Sequence, residues 1–375
     1  MKKQIILLIL LLICLSSYSQ KRFVRKTTTP RTDAMIDTIV GKWIDPPNNL
    51  EKEMNKVQAL EVAKRLNAIN KISMDAYPAP TSAAVRWGGS LVKTSFANQV
   101  KYVITQNGKT EEEIEKYYPV SRLQYNLILY PYFCSNSSAN EILNVFPDIS
   151  GGNGITIYAN ELSILTGNIL QEEGMAIDGQ PIKYKMPTMG KWKGYDMMTP
   201  EGGANATSFS KRYILISRNG MLPYIPVTRK QYLDRAILYA VKFYDKLIAG
   251  GSLATDKTEK DKYIKINKDA KNNALKKYQD ELEKTTNEGL LEAPAIVQFF
   301  CSPLLNNEEK IFVDEKEGSM VLIENADYMR GCLPNYVPQF FVVKWRWEQW
   351  KATADLAKLI EERFPFEKLQ AMIDK

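Results

Sequence analysis

Serine precedes lysine by three residues at two places, Ser90 with Lys93 and Ser208 with Lys211. That is the spacing of a serine–lysine dyad, in which a desolvated lysine serves as base for a serine hydroxyl. Such a dyad is the one serine chemistry that survives in a chain without histidine. The absence removes Ser-His-Asp and Cys-His nucleophile systems and every metal site that relies on imidazole. Zinc-protease and ordinary esterase chemistry are therefore excluded. The Ser-Asp-Asn and Lys-Thr-Gly partners of penicillin-interacting enzymes are also missing, and in a lysine-rich chain such spacings arise by chance.

Other chemistry-bearing patterns have plain structural accounts. Paired carboxylates could cleave glycosidic bonds, yet Glu111-Glu112-Glu113 and Glu172-Glu173 read as helix-start and loop charges. Asn107-Gly108-Lys109-Thr110 resembles the tail of a phosphate-binding loop, but Val103 stands where that loop needs its first glycine. A turn and a helix cap explain the same residues. Asp148, Ser150 and Asn153 are fragments of a calcium loop at the wrong spacing. No metal centre and no cofactor are expected. The candidate ligand-binding residues are Trp192 and Tyr195, in Trp192-Lys193-Gly194-Tyr195-Asp196. Aromatic side chains on a loop stack on sugar rings or anchor a protein partner. The competing account plugs both rings into the core, pinning the loop.

The elements that would position these residues are legible in the patterning. An Asn48 or Asn49 cap opens a helix to about residue 72, with Leu50, Met54, Val57, Leu60, Ala63, Leu66 and Ile69 at helical spacing. Thr110 with Glu113 is a capping box. Leu123, Tyr125, Leu127 and Leu129 alternate as in a half-buried strand, and a second strand covers 155–165. Residues 186–207, rich in Gly, Met and Pro, read as an irregular loop or boundary. A strand follows at 212–217, then a tight turn at Asn219-Gly220 and an extended segment at 223–226, and Thr228 with Gln231 caps a helix to about residue 248. Residues 256–288 read as an exposed helix. A hairpin pairs 310–313 with 320–324. Phe341, Val343, Trp345 and Trp347 mark a half-buried strand, and two short helices break at Pro365. The expectation is an α+β protein with antiparallel sheets and packed helices, in one or two domains. It divides into 34–185, a loop or linker at 186–210, and 211–375.

The first residues read as a cleavable signal peptide spanning 1–19. Lys2 and Lys3 precede an unbroken apolar run at 5–15, and Ser17 and Ser19 are the small residues before a cut ahead of Gln20. The run is shorter than the roughly 20 residues that span a bilayer. An uncleaved anchor is the alternative; a lipoprotein through Cys14 is disfavoured by bulky Ile13. Residues 20–33, with Lys21, Arg22, Arg25, Lys26 and Arg31, read as a basic disordered tether that touches an anionic membrane surface or is simply solvated. The net charge is +7, but nucleic acid is not expected as a partner of an exported chain. Cys134, Cys301 and Cys332 survive cleavage. Cys301 with Cys332 is the expected disulfide if any forms, stabilising by about 3–4 kcal/mol.

The leader ending directly before Gln20 is similar to those of exported proteins of the Bacteroidetes. The stretch from Asn219-Gly220 through Pro223-Tyr224-Ile225-Pro226 to Thr228 and Gln231-Tyr232-Leu233 resembles a recurring segment in uncharacterised proteins of that group. The resemblance implies export and brings no activity or site residues. The expected function is that of an exported, non-catalytic envelope protein binding a glycan, a peptide or a protein partner. The alternative is a histidine-free hydrolase acting on cell-wall or polysaccharide substrates through paired carboxylates or a Ser–Lys dyad.

Overall fold

The structure, a computed structural model, describes residues 23–26, 40–44, 56–77, 83–93, 121–134, 142–147, 154–166, 175–177, 180–199, 209–218, 221–251, 256–298, 310–315, 317–325, 327–328, 333–334, 336–348 and 351–375. Outside them lie the leader at 1–19, the loop-like Asn107 to Thr110 stretch with its capping box, both glutamate runs, the calcium-like fragment, Ser208, the Asn219-Gly220 turn, Cys301 and Cys332.

In chain order the strands are β1 (Phe23–Lys26), β2 (Lys42–Ile44), β3 (Ala83–Lys93), β4 (Ser121–Cys134), β5 (Ile142–Pro147), β6 (Gly154–Ala159), β7 (Ala176–Ile177) and β8 (Gln180–Pro181). They continue with β9 (Lys183–Tyr184), β10 (Thr188–Trp192), β11 (Tyr195–Met198), β12 (Phe209–Ile216), β13 (Tyr224–Pro226), β14 (Ile296–Gln298), β15 (Gly318–Glu324) and β16 (Phe341–Glu348). The helices are α1 (Lys56–Ala76), α2 (Arg229–Gly251), α3 (Lys257–Asn287), α4 (Lys351–Arg363) and α5 (Phe366–Gln370). The α+β class read from the patterning is the class the chain adopts.

One ten-stranded sheet runs β1-β5-β4-β6-β16-β12-β11-β10, with β3 also on β4 and β2 on β3. Its pairings are antiparallel except β2 with β3. The sheet joins strands from both sides of the 186–210 segment, because β6 pairs with β16 and β16 with β12. Residues 188–198, read as irregular loop, are instead the β10–β11 hairpin at one end of this sheet. Likewise Phe23–Lys26, inside the segment read as a disordered tether, pairs with β5.

Four layers stack across the molecule. On one face of the large sheet Tyr125, Ile157, Ile214, Val343 and Trp345 meet Leu66 and Ile69 of α1, Ile360 of α4 and Phe366 of α5. On the opposite face Tyr158, Tyr213, Leu215 and Val342 meet Tyr224 of β13 and Leu322 of β15. Those two strands, with β9 and β14, form a smaller sheet whose far side packs on Tyr232, Leu233 and Ala236 of α2 and Tyr278 of α3. Sandwiching explains why β16 departs from simple alternation: Phe341, Val342 and Val343 are all fully buried, as expected of a strand covered on both faces.

Several local expectations were met or moved for identifiable reasons. Gln231 N–H donates to Thr228 Oγ1 at 3.2 Å and Thr228 N–H to Gln231 Oε1 at 3.0 Å, the reciprocal capping box that opens α2. The α1 core face is Val62, Leu66, Ile69 and Ile72, whereas Val57 and Leu60 are 67% and 69% exposed. Two helical phases exist in that sequence, and the seat at Gly89 selects one: a Cβ there would stand 2.4 Å from Leu66 Cδ2. Strand β6 ends at Ala159 because Asn160 turns left-handed at φ 60°. Its side chain donates to Val337 O at 2.9 Å and accepts from Gln339 N at 2.7 Å. The expected 310–313 hairpin is replaced: β15 pairs with β13, β14 and β9, and Phe312 bridges to Val297.

Candidate functional site

The β10–β11 hairpin turns at Lys193 and Gly194, both at positive φ, 48° and 86°, the backbone that a tight two-residue turn needs. Cross-strand pairing sets Trp192 beside Tyr195 and Lys191 beside Asp196, so the two pairs project to opposite faces. Trp192 and Tyr195 fall on the helix side. The indole meets Phe366 edge-on at 5.3 Å and Trp345 at 6.0 Å, and Lys193 Nζ lies over it at 4.7 Å. Tyr195 packs on Phe366 at 6.1 Å and its hydroxyl donates to Gln370 Oε1 at 3.3 Å. Burial, then the nearby Glu367 carboxylate, pushes its phenol pKa up.

A cleft of about 380 Å³ opens beside this hairpin, within the usual range for ligand pockets. It is lined by Lys191, Gly194, Tyr195 and Asp196 of the hairpin, by Leu215, Ser217 and Arg218 at the end of β12, and by Met221, Leu222 and Gln370. Lys191 Nζ and Asp196 Oδ1 are 2.7 Å apart. Gln370 Nε2 donates to Ser217 O at 3.2 Å, so Gln370 ties the hairpin to the end of β12. Met221 and Leu222 are 43% and 40% exposed and give the cleft an apolar rim. Tyr195 thus lines the cleft, while Trp192 is not among its lining residues.

Arg218 is fixed from several sides. Its Nε donates to Asp374 Oδ2 at 2.7 Å, Nη2 to Asp374 Oδ1 at 2.6 Å and Nη1 to Tyr328 O at 2.7 Å. The guanidinium sits 4.2 Å from the Tyr328 ring centroid. The Asp374 bond raises the guanidinium pKa further above its already high value. Arg218 is therefore a shaped wall rather than a loose cation.

Behind the Lys191–Asp196 pair lies Lys185, only 4% exposed. Its Nζ donates to Thr188 Oγ1 at 2.9 Å and sits 5.9 Å from the Tyr224 ring centroid. Burial lowers its pKa, opposed by the fields of Asp196 and Glu315. Burial, with the same two carboxylates, pushes the Tyr224 phenol up to about 12. Deeper still, Lys183 of β9 and Glu324 of β15 form a buried ion pair. Burial holds the Glu324 carboxyl above its ordinary range, against the pull of Lys183.

Among the described residues, the hydrolytic patterns are not assembled at the cleft. Among the described residues that line it, Asp196 is the only carboxylate. Ser90 and Lys93 sit in β3, a strand, where residues three apart lack the shared face that a helical turn provides. Lys211 lies in β12. Among the described residues, no group of three or more His, Cys, Asp or Glu side chains converges as a metal site would, and no helix is long and apolar enough to cross a membrane. Arg218, Gln370 and the Met221-Leu222 rim were not picked out by sequence reasoning, since each gains its meaning only from a segment distant in the chain. Comparison with protein-family models, with curated proteins and with solved structures finds no match for this chain.

Proposed function

We propose that the chain is an exported, non-catalytic binding protein of the cell envelope, and that its ligand is a peptide segment held in the cleft beside the β10–β11 hairpin. The carrying observation is the lining itself: adjacent opposite charges on Lys191 and Asp196 in the same cleft as exposed Met221 and Leu222. A peptide offers backbone donors and acceptors for the charged wall and an apolar side chain for an adaptable methionine surface. A sugar would need a free aromatic face. The Trp192 ring is occupied by Phe366, Trp345 and Lys193, and the Tyr195 ring packs against Phe366. The edge strand β10 is a poor alternative dock. A bulge between Thr188 and Gly190 interrupts its register, a device that blunts sheet edges.

The test is selection of binders from a random displayed peptide library, followed by titration against Leu222→Asp and Lys191→Glu. Both positions are exposed, so the fold should tolerate the changes. Each variant is expected to weaken the selected peptides by about tenfold or more. Selection of no binders, or binders indifferent to both variants, contradicts the reading. The export component is tested by N-terminal sequencing of material from the native cell, which should begin at Gln20.

A further inference from the structure

On the face of the ten-stranded sheet opposite α1, α4 and α5, the strand register collects cations. Arg86 of β3 pairs with Ile128, which pairs with Gly154, then Arg346, then Lys211 of β12, forming one row. The neighbouring row runs Gly88, Asn126, Thr156, Lys344 and Tyr213. Adjacent strands lie about 4.8 Å apart, so Lys211, Lys344 and Arg346 are near neighbours on this face, while Arg86 stands about 14 Å from Arg346 across β4 and β6.

The surface has the features of a seat rather than of a solvated charge patch. Arg86, Asn126, Thr156, Lys211, Lys344 and Arg346 are half-buried, not exposed. Among the described residues, a Cβ on Gly88 would meet nothing within 4 Å. Lys344 Nζ lies 5.8 Å from the Tyr213 ring centroid. Burial lowers its pKa, and Lys211 and Arg346 lower it further. Among the described residues no carboxylate comes within ion-pair distance of Arg86, Lys211 or Lys344. The next position along this face of β16 is Glu348. Like charges gathered in a half-buried place oppose folding, a cost that a bound anion would offset for Lys211 and Lys344.

We propose that this face binds a soluble molecule carrying an oxyanion, a phosphate or carboxylate group on a hydroxyl-bearing carrier. The cations supply charge-assisted hydrogen bonds to the oxyanion. Asn126 and Thr156, between them in the register, supply amide and hydroxyl groups for the carrier. A lipid bilayer is disfavoured as the source, because half-buried side chains on a sheet face do not protrude to a flat surface. This site is independent of the peptide cleft: Leu215, which lines the cleft, is about 13 Å from Lys211 along β12 at the usual rise per residue.

The experiment titrates the full chain at low ionic strength with inorganic phosphate, with a uronic-acid tetrasaccharide and with phosphatidylglycerol vesicles. Binding of phosphate or of the tetrasaccharide is expected, weakening as salt rises. Lys344→Met and Lys211→Met should each lower the affinity by about tenfold, while the melting temperature holds or rises because repulsion is relieved. Opposite movement of binding and stability separates a binding role from a damaged fold. Failure of both soluble probes to bind wild type overturns the proposal, as does binding confined to vesicles. Unchanged affinity in both variants overturns it as well.

Discussion

Arg218 grips Asp374 through two parallel hydrogen bonds of 2.7 and 2.6 Å, locking the chain two residues beyond β12 to the segment that follows α5. Asp374 adopts φ 62°, an uncommon conformation for a non-glycine residue, and its N–H donates to Pro338 O at 2.7 Å. The pair is part-buried and holds one wall of the cleft in place. Lysine cannot reproduce a two-point grip. Arg218→Lys should therefore destabilise by about 1–3 kcal/mol in denaturant unfolding and weaken peptide binding together with it.

The buried pair Lys183–Glu324 joins β9 to β15. Removing one charge strands the other in a dry interior. Lys183→Met and Glu324→Leu should each destabilise by about 3–5 kcal/mol, while the double variant should recover most of that loss. Unfolding free energies of the four proteins close the cycle; additive single effects would show that the two charges do not depend on each other.

Trp192 is packed on Phe366 and Trp345 while its neighbour Lys193 is exposed. Trp192→Ala should lower stability by about 3 kcal/mol, the range for truncating a packed aromatic ring, and Lys193→Ala by well under 1 kcal/mol. Thermal melts decide it. A Trp192→Ala protein with unchanged melting and lost ligand binding would place the ring in the recognition surface instead.

Lys185 has its pKa lowered by burial in the folded state, against about 10.4 when unfolded. The folded chain thus binds fewer protons than the unfolded one in the window below the ordinary lysine pKa, so stability rises with pH through that window. Lys185→Met should be more stable than wild type at neutral pH, with the gap closing as pH climbs through the ordinary lysine range. Melting curves from neutral to alkaline pH would show the convergence.

Local signals in the sequence were read where one contact partner sufficed. The Thr228–Gln231 box needs only its own four residues, and the alternation of Leu123, Tyr125 and Leu127 needs one covered face. Misreadings arose where a distant segment decides. Residues 20–33 look like a solvated basic tether, yet Phe23–Lys26 pairs with β5, more than a hundred residues on. The 186–207 stretch looks irregular because glycine and methionine are weak strand formers, but β12 and Phe366 hold the hairpin. The cleft gathers residues from 191 to 370, a convergence that spacing along the chain does not encode. Tyr195, like Trp192, stands out in the sequence as an aromatic on an apparent loop; its partner Gln370 carries no such signal.

The most direct test of the binding-cleft account is backbone hydrogen exchange of the full chain with and without a library-selected peptide. The account predicts added protection concentrated at 191–196, 215–218 and 221–222 and around Gln370, the segments that line the cleft. Protection elsewhere on the molecule, with those segments exchanging as before, would contradict it.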